Sequence, residues 1–291
     1  MPSLIIQKIK DYQQLMKLNL SMLVVFSSVA GYIIVPDLKV SFINVLLLFL
    51  GGTLVTAAAN ASNELLEIKS DKIMKRTMNR PLPDMRMSYT EAIVFILVTL
   101  VGGVIILYHN FNLLSALLSL LSYVLYVAVY TPLKKISSIS VLVGAIPGSL
   151  PCLIGWAAAT NHIGSLAAWT LFAIQFFWQF PHFWSIAWIA HEDYAKAGMK
   201  MLPRTNKIGY FTAFQCVLYS AVLIPMSMLP MIAGLGGYIT VIGLLLAAFW
   251  MFYNSYNFLR NNSDENARKV MFSSFVYLPV VLISMIIDKY V

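Results

Sequence analysis

Long apolar runs alternate along the chain with short polar breaks. Nine of these runs approach the twenty or so residues a membrane-crossing helix needs: Leu18–Val35, Val40–Ala61, Tyr89–Tyr108, Leu113–Tyr130, Ile139–Ala159, Leu166–Ala190, Phe211–Ala233, Gly236–Phe258 and Val270–Ile287. The tightest boundary is Gly234–Gly237, where a turn has to cut one continuous apolar stretch. The runs are unbroken rather than alternating, which favours helices over barrel strands. The pattern therefore predicts an all-α, polytopic membrane bundle of about nine transmembrane helices, forming one domain over residues 1–291. A polar segment at 1–17 precedes the first run and lacks signal-peptide architecture, so that run is expected to be retained.

Composition agrees. Of 291 residues, 59% are hydrophobic and 11% charged, with mean hydropathy +0.77. Soluble domains carry about a quarter charged residues, so lipid has to be the solvent for most of this chain. The net charge of +8 raises nucleic acid as a partner. Its distribution excludes one, because the basic residues lie between apolar runs rather than on one face. Of the 20 Lys and Arg, all but Lys39 and Lys289 fall in the N-terminal segment or in loops after even-numbered runs. The positive-inside rule then predicts a cytoplasmic N-terminus and a multi-pass protein of the cell inner membrane. Cys152 and Cys216 fall within runs, as small apolar fillers.

Two predicted cytoplasmic loops, 62–88 and 191–210, are long and charged, and function concentrates on such loops when a rigid scaffold holds them. Asn63, Glu67 and Asp71 recur every four residues, along one side of a helix. An amide and two carboxylates suit Mg²⁺, which takes one or two carboxylates together with substrate phosphates. Lys75, Arg76 and Arg80 follow as a cationic cluster for phosphate oxygens. Spacing alone leaves open a solvated juxtamembrane helix with ordinary positive-inside charge. Glu64 lies off the stripe as drawn and is expected to face solvent.

The run Trp178-Gln179-Phe180-Pro181-His182-Phe183-Trp184 places a proline and an ionisable ring inside a span, a functional candidate by default. His182 and Trp184 among aromatics suit a flat conjugated ligand; a kinked interfacial aromatic belt is the plainer alternative. Glu192, Asp193 and Lys200 form a smaller acid–base set expected to face the first. Tyr130 and Lys134 close the fourth run, and Tyr123, Tyr126 and Tyr130 recur at near-helical spacing, either lining a channel or merely packing. Gly144, Pro147, Gly148 and Pro151 interrupt the fifth, with packing alone able to explain the glycines.

These residues resemble the intramembrane, UbiA-type prenyltransferase superfamily, and within it the heme-farnesylating branch. The first-loop pattern of that family is Asn-x3-Asp-x3-Asp and then Met-Lys-Arg-Thr-x-x-Arg-Pro. Here it is matched by Asn63, Glu67 and Asp71, followed by Met74, Lys75, Arg76, Thr77, Arg80 and Pro81. Further matches run in order through Tyr130–Lys134, Gly155–Ala157, Pro181–Trp184, Glu192–Gly198 and Met201–Pro203. Two departures stand out. Glu67 replaces the usual Asp, and the second Asp-x3-Asp motif of quinone-type relatives survives only as Glu192 and Asp193.

The resemblance implies farnesyl transfer from farnesyl diphosphate to a vinyl group of heme B. Asn63, Glu67 and Asp71 would hold Mg²⁺, Lys75, Arg76 and Arg80 would neutralise diphosphate, and Lys134 and Lys200 would assist. It implies a downstream heme A synthase as a further partner. A quinone precursor as acceptor, or a non-catalytic heme-handling protein or transporter, are the rival functions.

Overall fold

A computed structural model describes residues 2–202 and 209–291. Pro203, Arg204 and Lys207, which figured in the motif and charge patterns, lie outside the described residues. Among those described there is no strand, and every predicted run is helical. The elements are α1 (Pro2–Met16), α2 (Leu18–Ile33), α3 (Phe42–Asp71), α4 (Tyr89–Asn110), α5 (Leu113–Val124), a wide π-helical turn (Leu125–Tyr130) and α6 (Thr131–Leu133). They continue as α7 (Ser140–Thr160), α8 (Leu166–Ile189), α9 (His191–Lys196), α10 (Tyr210–Met226), α11 (Leu229–Ile232), α12 (Tyr238–Arg260) and α13 (Asp264–Tyr290).

Seven helical stretches among the described residues are long and apolar enough to cross a membrane on length and composition. The count of nine is therefore approximate. The sixth expected span, α8, is diluted by Gln175, Gln179 and His182, and the first, α2, has only 16 residues. Both nonetheless pack within the bundle. The helices form a ring in which α2, α3, α4 and α5 are successive neighbours. Helix α7 packs against α2, α5 and α8, and α13 returns to meet α8 and α2. Exposed apolar residues such as Phe42, Leu97, Val98 and Leu246 cover the outside, as lipid requires.

Local sequence explains the ends. Ser88 accepts from the Glu91 amide at 3.1 Å in a capping box that starts α4. Asn112 and Ser165 start α5 and α8 in the same way. The wide turn precedes Pro132, which has no N–H to give. The Thr131 amide and hydroxyl both bond the Tyr126 carbonyl, absorbing the register change.

Glycine lets α2 and α7 touch: a Cβ on Gly155 would overlap the Ser28 carbonyl, and one on Gly31 would meet the Cys152 carbonyl at 2.5 Å. At the rim opposite the charged loops, Lys289 donates to the carbonyls of Ile33, Val35 and Leu38 at 2.6, 2.7 and 3.2 Å. Its neighbour Asp288 accepts from the amides of Gly237 and Thr240.

Candidate active site

Helix α3 continues to Asp71, so the acidic stripe is helical throughout and turned inward. Asn63, Glu67 and Asp71 are buried, at 3%, 5% and 0% exposure. Each has a partner from another segment. Asn63 donates to Thr131 Oγ1 at 3.1 Å and accepts from Lys17 Nζ at 3.0 Å. Glu67 accepts from Lys134 Nζ at 3.0 and 3.3 Å, and Asp71 from Arg80 at 2.8 Å. Thr77 donates to the Asp71 carbonyl at 3.0 Å, folding the loop back over the helix end.

Glu64 corrects an expectation. It is fully buried rather than solvent-facing, with Oε1 3.4 Å from Arg80 Nε and 3.9 Å from Lys17 Nζ. The physical reason is helical register. Positions 64, 67 and 71 follow the i, i+3, i+7 spacing of one face, which a stripe drawn in steps of four misses. Lys17 is the other participant the sequence did not single out; its position is fixed by tertiary contacts. Three buried carboxylates thus meet three cations, Lys17, Arg80 and Lys134.

Oxygen chemistry here fits Mg²⁺. Asp71 Oδ1 and both Glu64 carboxylate oxygens are buried without a hydrogen bond; Glu64 Oε1 already faces Arg80 and Lys17, which leaves Asp71 Oδ1 and Glu64 Oε2 as the oxygens open to a further counter-charge. Among the described residues no three His, Cys, Asp or Glu side chains form a ready-made cage. A cation held at Asn63, Glu67 and Asp71 therefore has to complete its shell with water or substrate oxygens, as Mg²⁺ commonly does.

The second loop meets the first. The Arg76 amide donates to Asp193 Oδ2 at 3.4 Å, and the Lys200 amide to the Lys134 carbonyl at 2.7 Å. The Lys75, Arg76, Glu192 and Lys200 side chains are exposed around this junction.

Beside the charged cluster lies a cavity of about 470 Å³, within the usual range for small-ligand sites. Tyr123, Tyr126 and Tyr130 all line it, as the channel alternative required. Tyr130 joins cavity to cluster, because Lys134 Nζ stands 4.7 Å from its ring centre. Gly144 makes room for that ring, and Gly148 makes room for Gln179. Gln179 in turn donates to the Ala145 carbonyl and Ser149 Oγ.

His182 lines the cavity, stacked on Trp178 at 5.0 Å with Nδ1 2.8 Å from Ser274 Oγ. Ser274 Oγ also lies 2.5 Å from the Met271 carbonyl. The tautomer that donates from Nδ1 to Ser274 leaves Nε2 with a bare lone pair. Trp184, expected at the ligand, instead packs on Phe180 and Tyr219. Six residues from Trp178, it projects from a different helix face, and it is Trp178 that lines the cavity.

The UbiA prenyltransferase family model matches residues 24–276. Protoheme IX farnesyltransferases of Cytophaga hutchinsonii and Flavobacterium psychrophilum are 40% and 41% identical to this chain. Each alignment covers 96% of it, and 97% and 94% of the respective relative. In fold it is similar to a digeranylgeranylglyceryl phosphate synthase, with TM-score 0.79 and 20% identity over 97% of this chain and 99% of that one. It is also similar to a UbiA homolog from Archaeoglobus fulgidus bound to GPP and Mg²⁺, with TM-score 0.71 and 14% identity over 94% and 99%. With its membrane bundle matched by the family model and relatives aligned almost end to end, this chain belongs to the UbiA prenyltransferase family.

Proposed function

We propose that the chain transfers a farnesyl group from farnesyl diphosphate to a vinyl group of protoheme IX (heme B), with addition of water, giving heme O and diphosphate. The named relatives support this assignment along almost their whole length. The observation that carries it in this molecule is a juxtaposition. A buried acid–cation cluster suited to a metal diphosphate adjoins, through Tyr130, an aromatic cavity in which His182 Nε2 is free.

Farnesyl diphosphate lies with its diphosphate among Lys75, Arg76, Arg80, Lys134 and Lys200, and with its chain along Tyr123, Tyr126 and Tyr130. Asn63, Glu67 and Asp71 would hold Mg²⁺, which would further neutralise the diphosphate oxygens. The carbon–oxygen bond breaks with its electron pair leaving on diphosphate, and the surrounding cations stabilise that developing charge in a water-poor site. The terminal vinyl carbon of heme B attacks the allylic cation. Water captures the new cation on the adjacent carbon and loses a proton, completing a hydroxyethylfarnesyl group.

The apolar cavity wall keeps water away until the carbon–carbon bond has formed. His182 holds the acceptor by offering Nε2 to the iron, while Trp178 lies alongside. Asp193 holds the first loop against the second, and Glu192 stands at the rim. In this proposal the charged loops are cytoplasmic, the membrane is the cell inner membrane, and heme O passes to a downstream heme A synthase.

Membranes from expressing cells, given farnesyl diphosphate with either heme B or 4-hydroxybenzoate, test the assignment by mass spectrometry. Heme O is the expected product. Prenylated phenol with heme B untouched would replace the assignment with a quinone-type one.

A further inference from the structure

The corner between α1 and α2 is built with unusual care. Lys17, at the corner, has a left-handed backbone with φ 50° and ψ 51°, a conformation non-glycine residues rarely adopt. Asn60 Nδ2 and Ser21 Oγ both donate to the Met16 carbonyl, at 3.0 and 2.8 Å, and Asn60 also donates to Ser21 Oγ. Helix α1 is clamped from outside as well. Lys8 and Tyr12 reach Glu91 at 2.9 Å, Asp11 receives Arg86 at 2.9 Å, and Leu15 is fully buried against the α3 and first-loop residues around it. These contacts drive one ammonium into the charged cluster: the Lys17 side chain is 11% exposed, 3.0 Å from Asn63 Oδ1 and 3.9 Å from Glu64 Oε1.

We infer that Lys17 is a further diphosphate-binding residue, held in reserve by Asn63. The inference rests on the proposed binding of a metal diphosphate at this cluster. Asn63 has one carbonyl oxygen, and its amide nitrogen is committed to Thr131. An oxygen accepting from Lys17 is poorly placed to serve a metal ion at the same time, because the two cations repel at such distances. Metal entry therefore displaces the ammonium from Asn63, and the flexible lysine stem carries it to the incoming diphosphate oxygens. Lys17 competes with the metal alone and cooperates with the metal diphosphate. A purely structural lysine would do neither.

The test uses the full chain in lipid nanodiscs, with Mn²⁺ standing in for Mg²⁺ and read by electron paramagnetic resonance. Farnesyl thiodiphosphate serves as the slowly ionising ligand and is read by calorimetry. Lys17→Gln keeps a donor for Asn63 Oδ1 but removes the charge. It is expected to bind Mn²⁺ alone several-fold more tightly than the parent chain, and Mn²⁺-loaded thiodiphosphate about ten- to a hundredfold more weakly, the loss of one charge-assisted hydrogen bond. Lys17→Arg is expected to recover most of the thiodiphosphate affinity, and serves as the readout if the Gln variant fails to fold.

Unchanged affinities in Lys17→Gln would overturn the inference. So would a loss of thiodiphosphate binding that Arg does not recover and that leaves Mn²⁺ binding alone unaltered, since that marks a prop of the corner. Failure of the parent chain itself to bind Mn²⁺-loaded thiodiphosphate is a separate result. It removes the diphosphate site and with it the proposed function.

Discussion

Gly144 is the position where one methyl group tests how the cavity meets the charged cluster. A Cβ there would stand 2.6 and 2.7 Å from Cδ2 and Cε2 of Tyr130, carbons that normally keep about 3.5 Å or more from a neighbour. In Gly144→Ala the ring has to retreat by about 1 Å to restore that contact. Tyr126 flanks it, with ring centres 5.3 Å apart, and Lys134 Nζ lies 4.7 Å from its centroid. The displacement is therefore passed on to the ammonium that serves Glu67.

Overpacking of this kind costs about 1–3 kcal/mol of stability. A misplacement of about 1 Å at a reacting centre costs about a hundredfold in rate. Gly144→Ala should thus melt only slightly earlier but lose about a hundredfold in kcat/KM for heme O formation, measured in nanodiscs with a parallel thermal melt. Tyr130→Leu removes the ring that the methyl group strikes. In the double variant the Gly144→Ala penalty should shrink to within about threefold, the non-additivity expected of touching residues. If Gly144→Ala turns over like the parent chain, or if the two penalties simply multiply, Tyr130 is not the link between cavity and cluster.

Other consequences follow from the same geometry. Lys134→Met leaves the Glu67 carboxylate buried without its partner, a change worth about 3–5 kcal/mol. Added Mg²⁺ should recover part of the lost melting temperature, and no recovery would contradict a metal site at Glu67. His182→Ala should abolish the histidine-ligation signature in the absorption spectrum of heme B added to the purified chain. Ser274→Ala should weaken heme binding by about tenfold or less, the worth of one hydrogen bond, and an unaltered spectrum in His182→Ala would exclude axial ligation. Chelation of divalent ions should stop heme O formation while leaving the heme spectrum in place; turnover surviving chelation would contradict a metal-assisted departure of diphosphate.

Apolar periodicity made the bundle legible, because lipid imposes length and continuity on each span whatever its partners. The inner ends of α3 and α8 were legible for a related reason: polar groups beside a membrane are costly, so those present attract attention. What escaped was mostly a matter of partnership. Glu64 sits on the same helix face as Glu67 and Asp71, but a count in steps of four passes over it. Lys17 gains its place only when α1 folds over the first loop, and one-dimensional spacing contains no trace of that clamp. The difference between Trp184 and Trp178 has the same origin, since both are buried aromatics in one helix and only their neighbours distinguish their faces, Ser274 of α13 for Trp178 and Tyr219 of α10 for Trp184. The glycines at 144 and 148 were legible as small residues, but not as the recesses that accommodate Tyr130 and Gln179.

The Lys289 anchorage has a mechanical consequence. Three carbonyls leaving α2 converge on the last turn of α13, so the beginning and the end of the helical ring are tied at one rim. A cask hooped at one end can flare only at the other. Parting α2 from α13 at this rim has to break all three bonds, a cost the rim carrying the charged loops does not share through this lysine.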